Sequence, residues 1–259
     1  MLNLLKSILT KKPADPETSI PNHNRIPNRD RQGAVPEEWA IARGDNNQSN
    51  FYDVFSPDGR HTTFLFDEVS ATGARATALV DLMQRADQQA ATAQINRMLY
   101  EQGRYAAMFW SQFDPDTKLL HFINAGHPPP LLFKANRRPM LRLHQAGPGL
   151  GVFPNATYSQ GSVSLDPGDL LVIYSDGIVE ASGYSDETFG EERLITVVEL
   201  SRNKSVEEIR NRILSSVRVF ARDAGPTTNH TLLVIRYAPI SHTALFGRQF
   251  SNAAIHCTF

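Results

Sequence analysis

Ten residues constrain this chain more than any others: Gly168-Asp-Leu-Leu-Val-Ile-Tyr-Ser-Asp-Gly177. Leu170 to Tyr174 carry no charge. An apolar run this short, bounded by turn signals, predicts a strand buried on both faces. Pro167-Gly168 marks its start and Asp176-Gly177 its end. Two readings of that end are open. It is an ordinary strand-to-turn Asp-Gly, or it is a ligand position. A buried strand would hold the carboxylate rigidly, and a residue without Cβ lets backbone approach an ion.

A buried strand needs layers on both sides, and the 259 residues suffice for one large domain or two small ones. Hydrophobic residues make up 41% and charged residues 20%, the profile of a water-soluble globular chain. The formal net charge of −1 gives no bulk attraction to nucleic acid or membrane. Cys257 is the single cysteine, which rules out an internal disulfide and a cysteine metal cage and fits a cytoplasmic setting. No run approaches the roughly 18 apolar residues of a transmembrane helix.

Along the chain, Leu2, Leu5, Ile8 and Leu9 share a helical face, so residues 1–12 are expected as a short amphipathic helix that could mediate oligomerisation. Residues 13–37 are rich in Pro, Asn, Asp and Arg and read as a linker. The folded domain is expected over 38–238, with the tail 239–259 unassigned. Strands are expected at 39–42, 51–55, 62–66, 106–113, 119–124, 131–134, 141–143, 159–165, 170–174 and 231–237. Helices are expected at 74–89, 93–100, 191–200 and 206–221, the last opened by a capping box of Ser205 and Glu208. Runs of strands with one helix pair early and one late predict an α+β layered fold.

Five pieces, in order, carry a resemblance: Phe51-Tyr52-Asp53, Asn124-Ala-Gly-His-Pro-Pro-Pro130, Tyr174-Ser-Asp-Gly177, Phe189-Gly-Glu-Glu-Arg193 and Thr231-Leu-Leu-Val234. From about Trp39 to Tyr237 the chain resembles the metal-dependent protein phosphatases of the PP2C type, in their bacterial SpoIIE-like branch. The resemblance implies a β-sandwich of two mainly antiparallel sheets flanked by helix pairs. It also implies hydrolysis of phosphoserine or phosphothreonine on a protein, with Mn²⁺ or Mg²⁺ held by aspartates at strand ends. Two hard dications need such an oxygen cage.

The chain departs from that pattern. Asn50 stands where the family's first aspartate is expected, and Glu68 stands at the second, within Asp67-Glu68-Val69-Ser70-Ala71-Thr72-Gly73. Asp176 keeps the third, and Thr228-Asn229 replace an Asp-Asp pair. The candidate metal residues are therefore Asp176, Glu68, Asp53 and Asn50, with Val69, Gly177, Thr228 and Asn229 lining the site. Asp45 is a substitute ligand that could swing in, and Asp53 is a candidate supporting group. His127 is expected to shape a turn, and His230 to lie at the surface. Two expectations follow. One is a pseudophosphatase with no bound metal, which binds a regulatory protein of the STAS, anti-sigma type in its phosphorylated or unphosphorylated form. The other is a weak Mn²⁺- or Mg²⁺-dependent phosphatase. Neither involves nucleic acid or a membrane span.

Overall fold

The computed structural model describes residues 39–43, 51–56, 60–69, 87–136, 139–144, 147–183, 187–221 and 230–238, with backbone alone for 39–43, 51, 53, 55 and 67–69. The described strands form two five-stranded sheets. One has the order β1 (Trp39–Arg43), β10 (Leu232–Tyr237), β9 (Leu170–Tyr174), β6 (Leu131–Phe133), β7 (Leu141–Arg142). The other has the order β2 (Phe51–Phe55), β3 (Thr62–Val69), β4 (Ala106–Asp114), β5 (Leu119–Ala125), β8 (Gly161–Ser164). Neighbours in both sheets pair antiparallel. The expected α+β sandwich of antiparallel sheets is what forms.

Strand alternation explains the layers. On β9, Leu171 and Ile173 join Phe64, Phe66, Phe109 and Leu233 in the core between the sheets. Val172 and Tyr174 face the other way, into a cluster with Leu194 and Val198 of α3 (Gly190–Ser201) and Ile209, Ile213 and Val217 of α4 (Val206–Ala221). All five β9 residues are buried, as the uncharged run requires. On the second sheet, Leu65, Met108 and Trp110 pack against Ile95 and Leu99 of α1 (Gln88–Glu101).

Boundaries shift in three informative places. Asp87 caps α1, its carboxylate accepting from the Gln89 and Ala90 amides, so residues 88–89 open this helix rather than close an earlier one. The rest of the expected helix 74–89 lies outside the described residues, as do the N-terminal segment, the linker and the tail. β3 runs on to Val69, which places Glu68 inside the strand. β9 stops at Tyr174, and Asp176 opens a one-turn helix, α2 (Asp176–Val179), instead of a turn. The capping box at α4 forms on one side, with the Glu208 amide donating to Ser205 Oγ at 3.2 Å.

Candidate functional site

Sheet register brings the expected site positions to one end of the sandwich. Phe51 pairs with Asp67, so the start of β2 and the end of β3 lie together. Tyr174 pairs with Leu232, which puts Asp176 beside the chain entering β10. The connection 126–130 joins the sheets at this same end, because Gly126 bridges Met108 and Leu131 pairs with Val172. Phe51, position 68, Asp176 and His230 therefore share one rim. Asn50, Asp45, Thr228 and Asn229 lie outside the described residues.

Alternation separates two of the candidates. Position 68 has the parity of Phe64 and Phe66, which face the inter-sheet core. Asp53 pairs with Leu65, which has the opposite parity and faces α1. Positions 53 and 68 thus sit on opposite faces of the sheet. Val69 follows on the face of Leu65 and pairs with Ala106.

Asp176 is set by backbone. The Ser175 amide donates to the Thr231 carbonyl at 2.9 Å, and the Thr231 amide donates back to Ser175 Oγ at 2.9 Å. This pair of bonds locks the end of β9 to β10. Gly177 is buried behind Asp176. Burial, and then the nearby Glu180 charge, push the Asp176 carboxyl above its usual range.

The Phe189–Arg193 motif has a structural role in the same corner. Glu191 accepts from the buried Tyr174 hydroxyl at 2.9 Å and from Arg142 Nε at 2.7 Å. Arg193 donates to the Thr188 and Phe189 carbonyls and lies over the Phe220 ring, 4.7 Å from its centre. The Tyr174 hydroxyl, desolvated and hydrogen-bonded to Glu191, is held protonated well beyond the usual phenol range.

His127 shapes a connection. Its backbone amide donates to Asn124 Oδ1 at 3.0 Å, and Asn124 Nδ2 donates to the Leu143 carbonyl. Its ring lies edge-on to Phe66, 4.8 Å between centres, and Nδ1 lies 2.7 Å from the Pro128 carbonyl, which makes Nδ1 the protonated nitrogen. Gly126, at φ +80°, allows this packing, because a Cβ there would stand 2.7 Å from Gly149 Cα. His230 is partly buried at the start of β10.

Burial lowers the His127 pKa from 6.5 to about 4, outweighing the Pro128 bond, which raises it. The unfolded chain therefore binds the extra proton between those values, and stability falls as pH drops from 6.5 towards 4. The full loss is about 3 kcal/mol. Urea unfolding at pH 7 and pH 5 is expected to show a drop about 2 kcal/mol larger for the wild type than for His127→Gln. Equal drops would place the titration elsewhere.

The donor set can be tested against the metal that the fold family implies. At the four positions where the resemblance expects metal ligands stand oxygen donors: Asn50, Glu68, Asp176 and Thr228. In kind they suit a hard dication. In charge, two carboxylates fit one dication and do not fit a pair. Among the described residues, no group of three or more His, Cys, Asp or Glu side chains is placed to hold a metal.

This fold is that of the PP2C phosphatases. The PP2C phosphatase domain of SpoIIE from Bacillus subtilis, with a fragment of its regulatory domain, superposes with a TM-score of 0.62 at 16% identity, over 78% of this chain and 64% of that one. The SiaA PP2C domain of Pseudomonas aeruginosa gives 0.61 at 15% identity, over 78% and 87%. The sequence model for Stage II sporulation protein E (SpoIIE) matches residues 64–238, and the chain belongs to that family. Among curated relatives, IcfG of Synechocystis is 35% identical over 91 residues, covering 35% of this chain and 14% of that protein. The phosphoserine phosphatase RsbU of Bacillus subtilis is 28% identical over 76 residues, covering 29% and 23%. These matches span less than a quarter of either relative. Among the described residues, no helix is long and apolar enough to cross a membrane.

Proposed function

We propose that the chain is a pseudophosphatase, a SpoIIE-like domain that binds a regulatory phosphoprotein without turning it over. One observation carries this reading. Of the four family metal positions, Asp176 alone retains its aspartate, while positions 50 and 228 carry neutral side chains. Each carboxylate about 4 Å from a dication contributes on the order of several kcal/mol before desolvation is subtracted. Losing two lowers metal affinity by orders of magnitude. The partner class proposed is a STAS-type switch protein, in line with similarity to RsbU and RsbP, whose names describe phosphoserine phosphatases.

A second reading rests on Glu68. It keeps a carboxylate at the second family position, one methylene longer, on the face of the inter-sheet core. Glu68 and Asp176 would then hold a single Mn²⁺ or Mg²⁺, which would supply an activated water. The backbone around Val69 and Gly177 would line the site, whereas position 53, on the opposite face of the sheet from position 68, is not placed to be the ligand or supporting group expected of Asp53.

The two are separated by incubating the chain with a serine-phosphorylated STAS-domain protein and Mn²⁺. The pseudophosphatase reading expects a complex and no phosphate release above the uncatalysed rate. Release that is lost in Asp176→Asn supports the second reading.

A further inference from the structure

Seven large apolar side chains stand exposed among the described residues: Tyr100, Tyr105, Leu141, Val152, Phe153, Leu200 and Val219. Four of them belong to two segments that meet. Tyr100 (45% exposed) and Tyr105 (79%) flank the end of α1, and Val152 (47%) and Phe153 (58%) lie in the connection between β7 and β8.

The meeting point is Gly151. It has φ +77°, and a Cβ there would fall 2.0 Å from the Arg104 carbonyl oxygen and 3.0 Å from Leu99 Cβ. No other residue type allows that approach. Leu150 and Ala106 exchange two backbone hydrogen bonds, of 2.8 and 3.0 Å.

Buried Asn96 fastens the loop a second time. Its Oδ1 accepts from the Gly151 amide at 2.8 Å and from the Tyr158 hydroxyl at 3.0 Å, and its Nδ2 donates to the Phe153 carbonyl at 2.9 Å. Asn96 thus spends its amide on holding the loop that carries Val152 and Phe153. A surface fixed in this way binds at small entropic cost.

We propose that this patch docks the phosphoprotein partner, and the proposal rests on the reading under Proposed function. Two observations select that occupant. The first is continuity: Ala106, next to Tyr105, pairs with Val69, the residue after Glu68, so the patch adjoins the candidate rim. A protein whose phosphorylated side chain enters the rim lies across it. The second is size. Tyr100, Tyr105 and Phe153, at 45%, 79% and 58% exposure, together offer roughly 360 Å² of surface, taking about 200 Å² for a whole aromatic side chain. That is about half of what each side of a stable interface buries, and it suits a partner that must leave again. Arg97 and Arg104 add positive charge beside it, against Glu101.

The test measures binding of a serine-phosphorylated STAS-domain protein, and of its unphosphorylated form, to the full chain and two variants. Tyr105→Ser/Phe153→Ser removes the patch, and Leu200→Ser removes an exposed side chain of α3. Thermal melting establishes that both variants fold. The double variant is expected to bind about tenfold or more weakly, with Leu200→Ser unchanged. Equal binding by wild type and the double variant overturns the docking surface and leaves the proposed function standing. No binding of either form to the wild type overturns the proposed function and this occupant with it. A wild-type dimer that becomes a monomer in the double variant assigns the patch to a second copy and overturns the proposal.

Discussion

Asn50→Asp combined with Thr228→Asp is expected to raise the Mn²⁺ affinity of the chain by about 10³-fold or more. Both changes place a carboxylate at a position where the resemblance expects a metal ligand. At an effective dielectric of about 20, one carboxylate about 4 Å from a dication is attracted by roughly 8 kcal/mol. Desolvation consumes most of this, and a net gain of about 2–3 kcal/mol per group is a conservative remainder. Two such gains multiply, since every 1.4 kcal/mol is about tenfold. Calorimetric titration of both chains measures the difference directly. Affinity unchanged by the pair would mean that positions 50 and 228 do not face the ion, and the explanation of lost metal binding would fall with them.

The largest expected effect on stability lies at the opposite end of the sandwich. Lys134, just past β6, donates to Asp169 Oδ2 at 2.5 Å and to the Ser164 carbonyl at 3.0 Å, with Asp166 2.9 Å away. Asp169 also accepts from the Ala135 and Asp166 amides, at 2.7 and 2.8 Å. Lysine and aspartate are both buried, at 6% and 2% exposure. Desolvation pulls the Lys134 pKa down, but the bonds and charges of Asp169 and Asp166 outweigh it and the net shift is upward. The ammonium therefore stays charged.

Lys134→Met strands a buried anion and is expected to cost about 3–5 kcal/mol. For a chain of this size that lowers the melting temperature by on the order of 10 °C. Adding Asp169→Asn removes the stranded charge while keeping an oxygen for the Ala135 amide. The double variant is expected to regain more than half of the loss. A single-variant loss below about 1 kcal/mol in urea unfolding would show that this pair does not lock the sheet.

What was legible in the sequence follows from what periodicity can see. The uncharged run Leu170–Tyr174 could only be a two-faced buried strand, and it is one, packed against the second sheet on one side and α3 and α4 on the other. The capping box of Ser205 and Glu208 marked the start of α4, which spans the expected residues and buries Ile209, Ile213 and Val217. α1 was harder to place. Its inward stripe includes Gln88, Thr92 and Asn96, polar residues that a hydrophobic pattern passes over. They bond within the fold: Thr92 to the Gln88 carbonyl, Asn96 to the loop at Gly151, and Gln88 through its Oε1 to Gln160, while its Nε2 has no partner among the described residues. Those partners lie up to 72 residues away in sequence, so no local signal announces them.

The candidate site divides along the same line. Asp176-Gly177 marked the end of β9, but the one-turn helix that carries it was not visible, because an Asp-Gly pair signals a turn more strongly than a helix start. The opposite faces of positions 53 and 68 needed the register of β2 against β3. Lys134 and Asp169, separated by 35 residues, had no signature at all.

The pseudophosphatase proposed above has lost the binuclear cage of its family. Isothermal titration of Mn²⁺ into the wild-type chain, with Asp176→Asn alongside, tests it most directly. At most one weak site is expected, with a Kd on the order of hundreds of micromolar or weaker, because two carboxylates are lost. Two sites of low-micromolar affinity, both abolished by Asp176→Asn, would contradict it.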